Sequence, residues 1–201
     1  MNTLQVQKRN METKAKRLRR EGYVTGNLFG KEINGSIPLT IEKKEAERIQ
    51  RDCFKGSQLS IELDGKKYPV LLKEIEYNPM KRQILEMDFQ ALVKGEKVHS
   101  VAEIVLHNKD KVISGILEQL LTEISYKATA ESLIDSVEVD CSNLKLGDIL
   151  KVADLDVAKN KNIEILTHMD VLVASVIASK NDVADADEAA EAEKEESKES
   201  K

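Results

Sequence analysis

The stretch KAKRLRREGYVTGNLFG, residues 14–30, sets five cations (Lys14, Lys16, Arg17, Arg19 and Arg20) in seven positions, directly before an apolar, glycine-rich run. The chain as a whole is acidic, with a formal net charge of −5. Cations this close repel one another, and on a helix they cannot share one stripe. Counter-ion release from a phosphate backbone is the usual benefit of such a cluster. Arginine adds forked contacts to phosphate. The run therefore reads as a nucleic-acid-facing surface or as a solvated basic face.

The charge is distributed unevenly. Residues 1–94 hold 19 Lys and Arg against 13 Asp and Glu, a net of +6, while residues 95–201 hold 12 against 23, a net of −11. This asymmetry points to a polyanion-facing end and a separate acidic portion.

Outward from the opening stretch, the pattern is mostly that of strands. TLQVQKR (3–9) alternates at Leu4 and Val6, as a half-buried strand does. The basic run ends at Gly22, and YVTGNLFG (23–30) reads as a second strand. GSIPLTI leads into a third, with Pro38 favouring an edge or a strand entry. EKKEAERIQRDCF (42–54) breaks the pattern: Ala46, Ile49 and Cys53 fall at helical spacing, with Thr40 as N-cap and Gly56 as the stop. QLSIELDGKKYPVLLKEIEY then reads as a hairpin turning at Asp64-Gly65. Asn78-Pro79 marks another turn, and RQILEMDFQALV (82–93) a strand alternating at Ile84, Glu86, Asp88 and Gln90.

Past a polar join at 94–100, ISGILEQLLTEI places Ile116, Leu117, Leu120, Leu121 and Ile124 at helical spacing, which period alone reads as a helix. SVEVDCSNLKLGDILKVADLDV reads as short strands around Leu146-Gly147-Asp148, and NIEILTHMDVLVASVIAS as a final strand pair. From Asn181 on, nine acids and three lysines with no aromatic residue cannot bury enough surface to offset ordering entropy. A disordered acidic tail is expected over 181–201, with a solvated terminal helix as the alternative, since Ala and Glu favour helix. Aromatics make up only 3% of the chain, so the core must be aliphatic.

Chemistry of other kinds is thinly represented. His99, His107 and His168 lack metal-type spacing, and no Walker loop, GxSxG or dinucleotide glycine cluster occurs. No catalytic residue, metal site, cofactor or small-molecule substrate is expected. Cys53 and Cys141 read as buried thiols of a reducing compartment, with a Cys53–Cys141 disulfide or a reactive thiol as the alternative. The longest apolar run near the C-terminus, VLVASVIA (171–178), is too short to span a bilayer, and no signal peptide is seen at residues 1–10. A cytoplasmic protein without a membrane partner is expected. Glu86 and Asp88 share one strand face, where a salt bridge to a basic partner is the ordinary reading and an RNA contact the alternative.

With these motifs in order, the chain resembles the bacterial ribosomal protein L25 family in its long, TL5/CTC-type form. KAKRLRREGYVTGNLFG is similar to the family's basic run and V-P-G-x-x-Y-G strand. YPVLLKEIEYNPMKRQILEMDF (68–89) is similar to its V-x-x-x-x-x-Q-x-H-P…H-x-D-F segment. ISGILEQLLTEI, VEVDCSNLKLGDILKVADLDV and DVLVASV resemble its C-terminal domain. The resemblance implies a mainly β protein with a few helices. An N-terminal L25-like β-barrel domain (1–94) precedes a C-terminal β domain (95–180), with strand rather than helix at 116–124.

The function implied is structural. It is binding of 5S ribosomal RNA at loop E, from its widened minor-groove side, within the large subunit among neighbouring ribosomal proteins. Arg9, Lys14, Lys16, Arg17, Arg19 and Arg20 are then the expected phosphate and groove contacts. Phe29 would supply a stacking face, and Asp88 would accept from a guanine amino group or orient an arginine. The chain departs from the family pattern at Met11-Glu12 (Gly-Lys), Thr25 (proline), Phe29 (tyrosine), and Asn78 and Glu86 (histidines). The last two motivate an alternative: a divergent, stress-linked paralogue acting off the ribosome as a protein-interaction module.

Overall fold

The computed structural model of the chain describes residues 2–33, 35–112, 115–160 and 162–178. The acidic tail expected at 181–201 lies outside them. Six strands, β1 (Asn2–Lys8), β2 (Tyr23–Phe29), β3 (Ser36–Glu42), β4 (Gln58–Leu63), β5 (Lys66–Asn78) and β6 (Gln83–Ala91), close into a barrel in the order β1-β3-β2-β6-β5-β4. The β1–β4 and β2–β6 pairs are parallel and the other pairs antiparallel. Period-2 alternation explains the filling: Leu59, Ile61 and Leu63 of β4 are buried while Gln58, Ser60 and Glu62 between them are not. The interior is aliphatic, as the composition requires, apart from Phe89, Met87 and Cys53.

The β4–β5 hairpin turns at Asp64 (φ 52°) and Gly65 (φ 76°), the positive-φ pair of a type I′ turn. Pro38 does not sit on an edge, because β3 lies between β1 and β2. Its carbonyl accepts the Arg9 N–H at 2.9 Å, so its missing N–H faces the side where β1 has already ended. There it costs no ladder bond.

The alternation expected through β6 fails at one residue. Register passes from Glu76↔Glu86 to Tyr77↔Ile84, so Leu85 is an extra residue on β6. This bulge buries Ile84 along with Met87 and Phe89, and leaves Glu86 and Asp88 on the outer face.

Two helices accompany the barrel: α1 (Ala15–Arg20) and α2 (Lys43–Asp52). In α2, Ala46 and Ile49 are fully buried, and Cys53 follows them into the core, as their spacing predicts. The expected ends are corrected. Thr40 belongs to β3, the N-cap is Glu42 without a side-chain cap bond, and the helix closes at Cys53 rather than at Gly56.

The remaining strands are β7 (Lys97–His107), β8 (Ile116–Gln119), β9 (Glu123–Thr129), β10 (Ser136–Asp140), β11 (Ile149–Lys151), β12 (Ile163–Ile165) and β13 (Leu172–Ile177). They form a sheet of order β10-β7-β9-β12 and another of order β11-β13-β8. The helical period at 116–124 is overturned. Ile116–Gln119 pairs with β13, and Glu123–Thr129 pairs with β7, burying Ile124, Tyr126 and Ala128 in strict alternation. Partners distant in sequence override the local pattern, and the strands implied by the family resemblance are the ones formed. The final strand pair is also corrected: β12 pairs with β9 while β13 pairs with β8 and β11.

By packing, the chain divides into two units. One holds the described residues up to Glu103 with those of Glu123–Val137 and Asn160–Leu166; the other holds the described residues of Ile104–Thr122 and Glu138–Lys159 and those of 167–178. In the first unit, Leu71, Leu92 and Val98 form an apolar cluster outside the barrel, joined by Ala130 and Leu133. Tyr126 is fully buried there; its hydroxyl donates to the Ile134 carbonyl at 2.8 Å and accepts the Ile134 N–H at 2.9 Å. Burial pushes its pKa up. Tyr126→Phe strands both Ile134 groups and is expected to cost about 1–3 kcal/mol. Urea titration should show a lower midpoint with an unchanged m value. In the second unit Val173, Ala174 and Val176 are buried, and so is Cys141, whose thiol burial pushes up in pKa.

Candidate nucleic-acid interface

Six residues are too few for a helix to persist by itself, and α1 has no side-chain N-cap at Lys14. Tertiary contacts must hold it. It packs on β2, where Thr25 points out of the barrel yet is only 2% exposed. The Arg19 guanidinium donates through Nη1 to the Leu85 carbonyl at 3.4 Å, and the Thr25 hydroxyl donates to the same carbonyl at 3.1 Å. The β6 bulge thus offers an acceptor that a regular strand would spend on its neighbour, and it ties the basic helix to the barrel wall. Arg17, Arg19 and Arg20 occupy the last turn, where cations complement the helix dipole.

The expected cations separate by this geometry. Lys16, Arg19 and Arg20 line a cleft of about 310 Å³ together with Asn78, Lys81, Gln83 and Leu85. Arg17 turns instead to Glu21, with a 2.8 Å ion pair on the exposed face. Lys14 is exposed at the N-cap. Arg9 is half-buried beyond β1 and donates to the Thr13 carbonyl at 3.4 Å, so it braces the loop before α1. Glu12 is exposed in that loop, its N–H held by Asn10 Oδ1 at 2.9 Å.

Phe29 closes β2 half-buried, in register with Gln90. Asp88 lies on the outer face in register with Asn27 on one side and Glu74 on the other. The salt bridge expected for Glu86 and Asp88 is replaced by an amide: Asn27 Nδ2 donates to Glu86 Oε1 at 2.9 Å and to Asp88 Oδ1 at 3.1 Å.

Sequence reading missed Lys81, Gln83 and Asn27. Lys81-Arg82 at the Asn78-Pro79 turn was a visible signal of charge, but which surface that turn faces depends on the β5–β6 register. Asn78 has a role of its own, since its Oδ1 accepts the Lys81 N–H at 3.1 Å and shapes the turn. Among the described residues no group of three or more His, Cys, Asp or Glu side chains could hold a metal ion, and no helix is long and apolar enough to cross a membrane.

Residues 4–89 match the Ribosomal L25p family model, and residues 97–180 match that of the ribosomal protein TL5 C-terminal domain. The chain is 31% identical over 182 residues to the large ribosomal subunit protein bL25 of Listeria monocytogenes, covering 89% of this chain and 86% of that protein. It is 32% identical over 161 residues to the protein of that name from Nitrosomonas eutropha (77% and 79% covered), and 27% identical over 188 residues to that of Finegoldia magna (92% and 88%). The chain belongs to the ribosomal L25 family, in its long form with a TL5-type C-terminal domain. The family is one of structural proteins without catalytic activity.

Proposed function

We propose that this chain is a structural component of the large ribosomal subunit, and that it binds 5S rRNA at loop E through its N-terminal barrel. The observation that carries this reading is the cleft between α1 and the β5–β6 turn. Its four cations, Lys16, Arg19, Arg20 and Lys81, converge with two amides, Asn78 and Gln83. Phosphate is the ligand such a set suits: guanidinium groups fork onto its oxygens, and lysine supplies point charge. Beside the cleft, Asn27, Glu86 and Asp88 present hydrogen-bonding groups to an RNA minor groove, where shape, 2′-hydroxyls and base edges are read. A division into an RNA-binding part at 1–94 and a second part at 95–180 that meets ribosomal proteins belongs to this reading. The two family matches fall on either side of that join.

A gel-shift titration with matched 5S rRNA and a loop E variant, at several salt concentrations, tests it. The expected result is tight binding that depends on loop E and falls steeply with salt. Weak binding, equal for both RNAs, would overturn it and favour the protein-interaction module off the ribosome.

A further inference from the structure

A second cationic cleft, separate from the one beside α1, lies on the outer wall of the barrel. Its volume is about 330 Å³, and Lys55, Lys73, His99 and Ser125 line it. All four belong to the first unit. Register on β5 passes from Leu72↔Phe89 to Glu74↔Asp88, so Lys73 is an extra residue. A bulge of this kind re-aims the side chain it carries. The half-buried Lys73 donates through Nζ to the His99 carbonyl of β7 at 2.7 Å. Lys55 is fixed from the other side, because the Gly56 N–H donates to the Leu72 carbonyl at 2.8 Å.

This arrangement leaves positive charge uncompensated. Among the described residues no carboxylate pairs with Lys73, and burial, followed by the Lys55 charge, lowers its pKa. Lys55 reaches Glu123 only at 3.9 Å, with both side chains about half exposed, a pair that contributes little. An ammonium carries three protons, and the His99 carbonyl takes one of those on Lys73. The remaining protons and the charge suit an anion.

Position selects among anions. Lys73 and Asn78 of the α1 cleft stand five residues apart on β5, roughly 16 Å along the strand. Glu74, Glu76, Glu86 and Asp88 line the wall between them and repel phosphate, so the two clefts are separate stations. The minor groove of an RNA helix is wide and shallow, and the phosphates of opposite strands run along its two rims. A wall laid across that groove meets both rims, one at each cleft.

Resting on the RNA reading above, we propose that Lys55 and Lys73 form a second phosphate site, which takes the RNA strand opposite the one held beside α1.

Phosphate-ethylation interference, with full-length protein and 5S rRNA, tests this. For the unsubstituted protein, ethylation is expected to block binding at two clusters of phosphates, one on each strand of the loop E helix. Lys55→Gln with Lys73→Met removes both charges and keeps the length of the buried stem. Affinity should fall by about 10- to 100-fold at moderate salt, the log–log salt slope by about 1–2, and one cluster should disappear. Arg19→Ala with Arg20→Ala should erase the other cluster instead. Lys55→Gln alone, at an exposed side chain, should weaken the same cluster as the double lysine variant and serves if that variant does not fold. The proposal is overturned if interference is confined to one strand, or if the lysine variants keep both clusters. Unchanged affinity and slope in those variants would also overturn it and would give the cleft to an acidic protein segment. Failure of the unsubstituted protein to bind 5S rRNA at all is a different result, which removes the RNA reading itself and this site with it.

Discussion

Replacing Arg19 and Arg20 together by alanine is expected to weaken 5S rRNA binding by about 30- to 300-fold at moderate salt. Each charge-assisted bond to phosphate is worth about 1.5–3 kcal/mol, and neighbouring bonds add incompletely. The log–log salt slope should fall by about 2, one for each phosphate left without its arginine. The barrel should survive, because the Leu85 carbonyl keeps the Thr25 hydroxyl as a donor, and α1 keeps its packing on β2. Arg17→Ala is the control on the same helix. Its side chain is 75% exposed and turned to Glu21, so affinity should change by less than about 3-fold. Equal losses for the control and the double variant would show that net charge, rather than the cleft, governs binding.

The second large effect concerns stability. Gly56 has φ 94°, and a Cβ there would lie 2.0 Å from the Val101 carbonyl oxygen and 2.9 Å from Ser100 Oγ. The site cannot give way easily. The Gly56 N–H donates to the Leu72 carbonyl at 2.8 Å, and the Leu72 N–H returns to Ser57 at 2.9 Å. Gly56→Ala is expected to destabilise the first unit by about 3 kcal/mol or more, since backbone strain and overlap with a carbonyl add. Gly65→Ala separates the two causes: φ there is 76°, but nothing lies within 4 Å of the added carbon, so the cost should be about 1–2 kcal/mol. Equal midpoint shifts in urea for both variants would mean that overlap at Gly56 is relieved by movement.

Much of this was open to sequence reading because much of it is local. Strand alternation in β1 and β4, the buried face of α2 and the Asp64-Gly65 turn depend on residues within a few positions of one another. The basic run announced itself by charge density alone. The period at 116–124 misled for the complementary reason. Apolar residues at helical spacing fit a helix only if no better partner is available, and here β13 and β7 supply ladders from elsewhere in the chain. Thr40 misled as a cap because capping chemistry is common to many residues, and strand pairing had already claimed this one.

The site divides in the same way. By itself the sequence determined that cations cluster at 14–20, that the core is aliphatic, and that the segments occur in the order of the ribosomal L25 family. It could not determine which cations converge. Arg19 reaches a carbonyl 66 residues away, and Lys81 joins Lys16 and Arg20 only because β5 and β6 pair in one register. A single extra residue, Leu85, frees the carbonyl that fixes α1 and keeps Glu86 and Asp88 facing out toward Asn27. Only the tertiary structure decided these points, because a side-chain period of two turns every one-residue shift in pairing into a change of face.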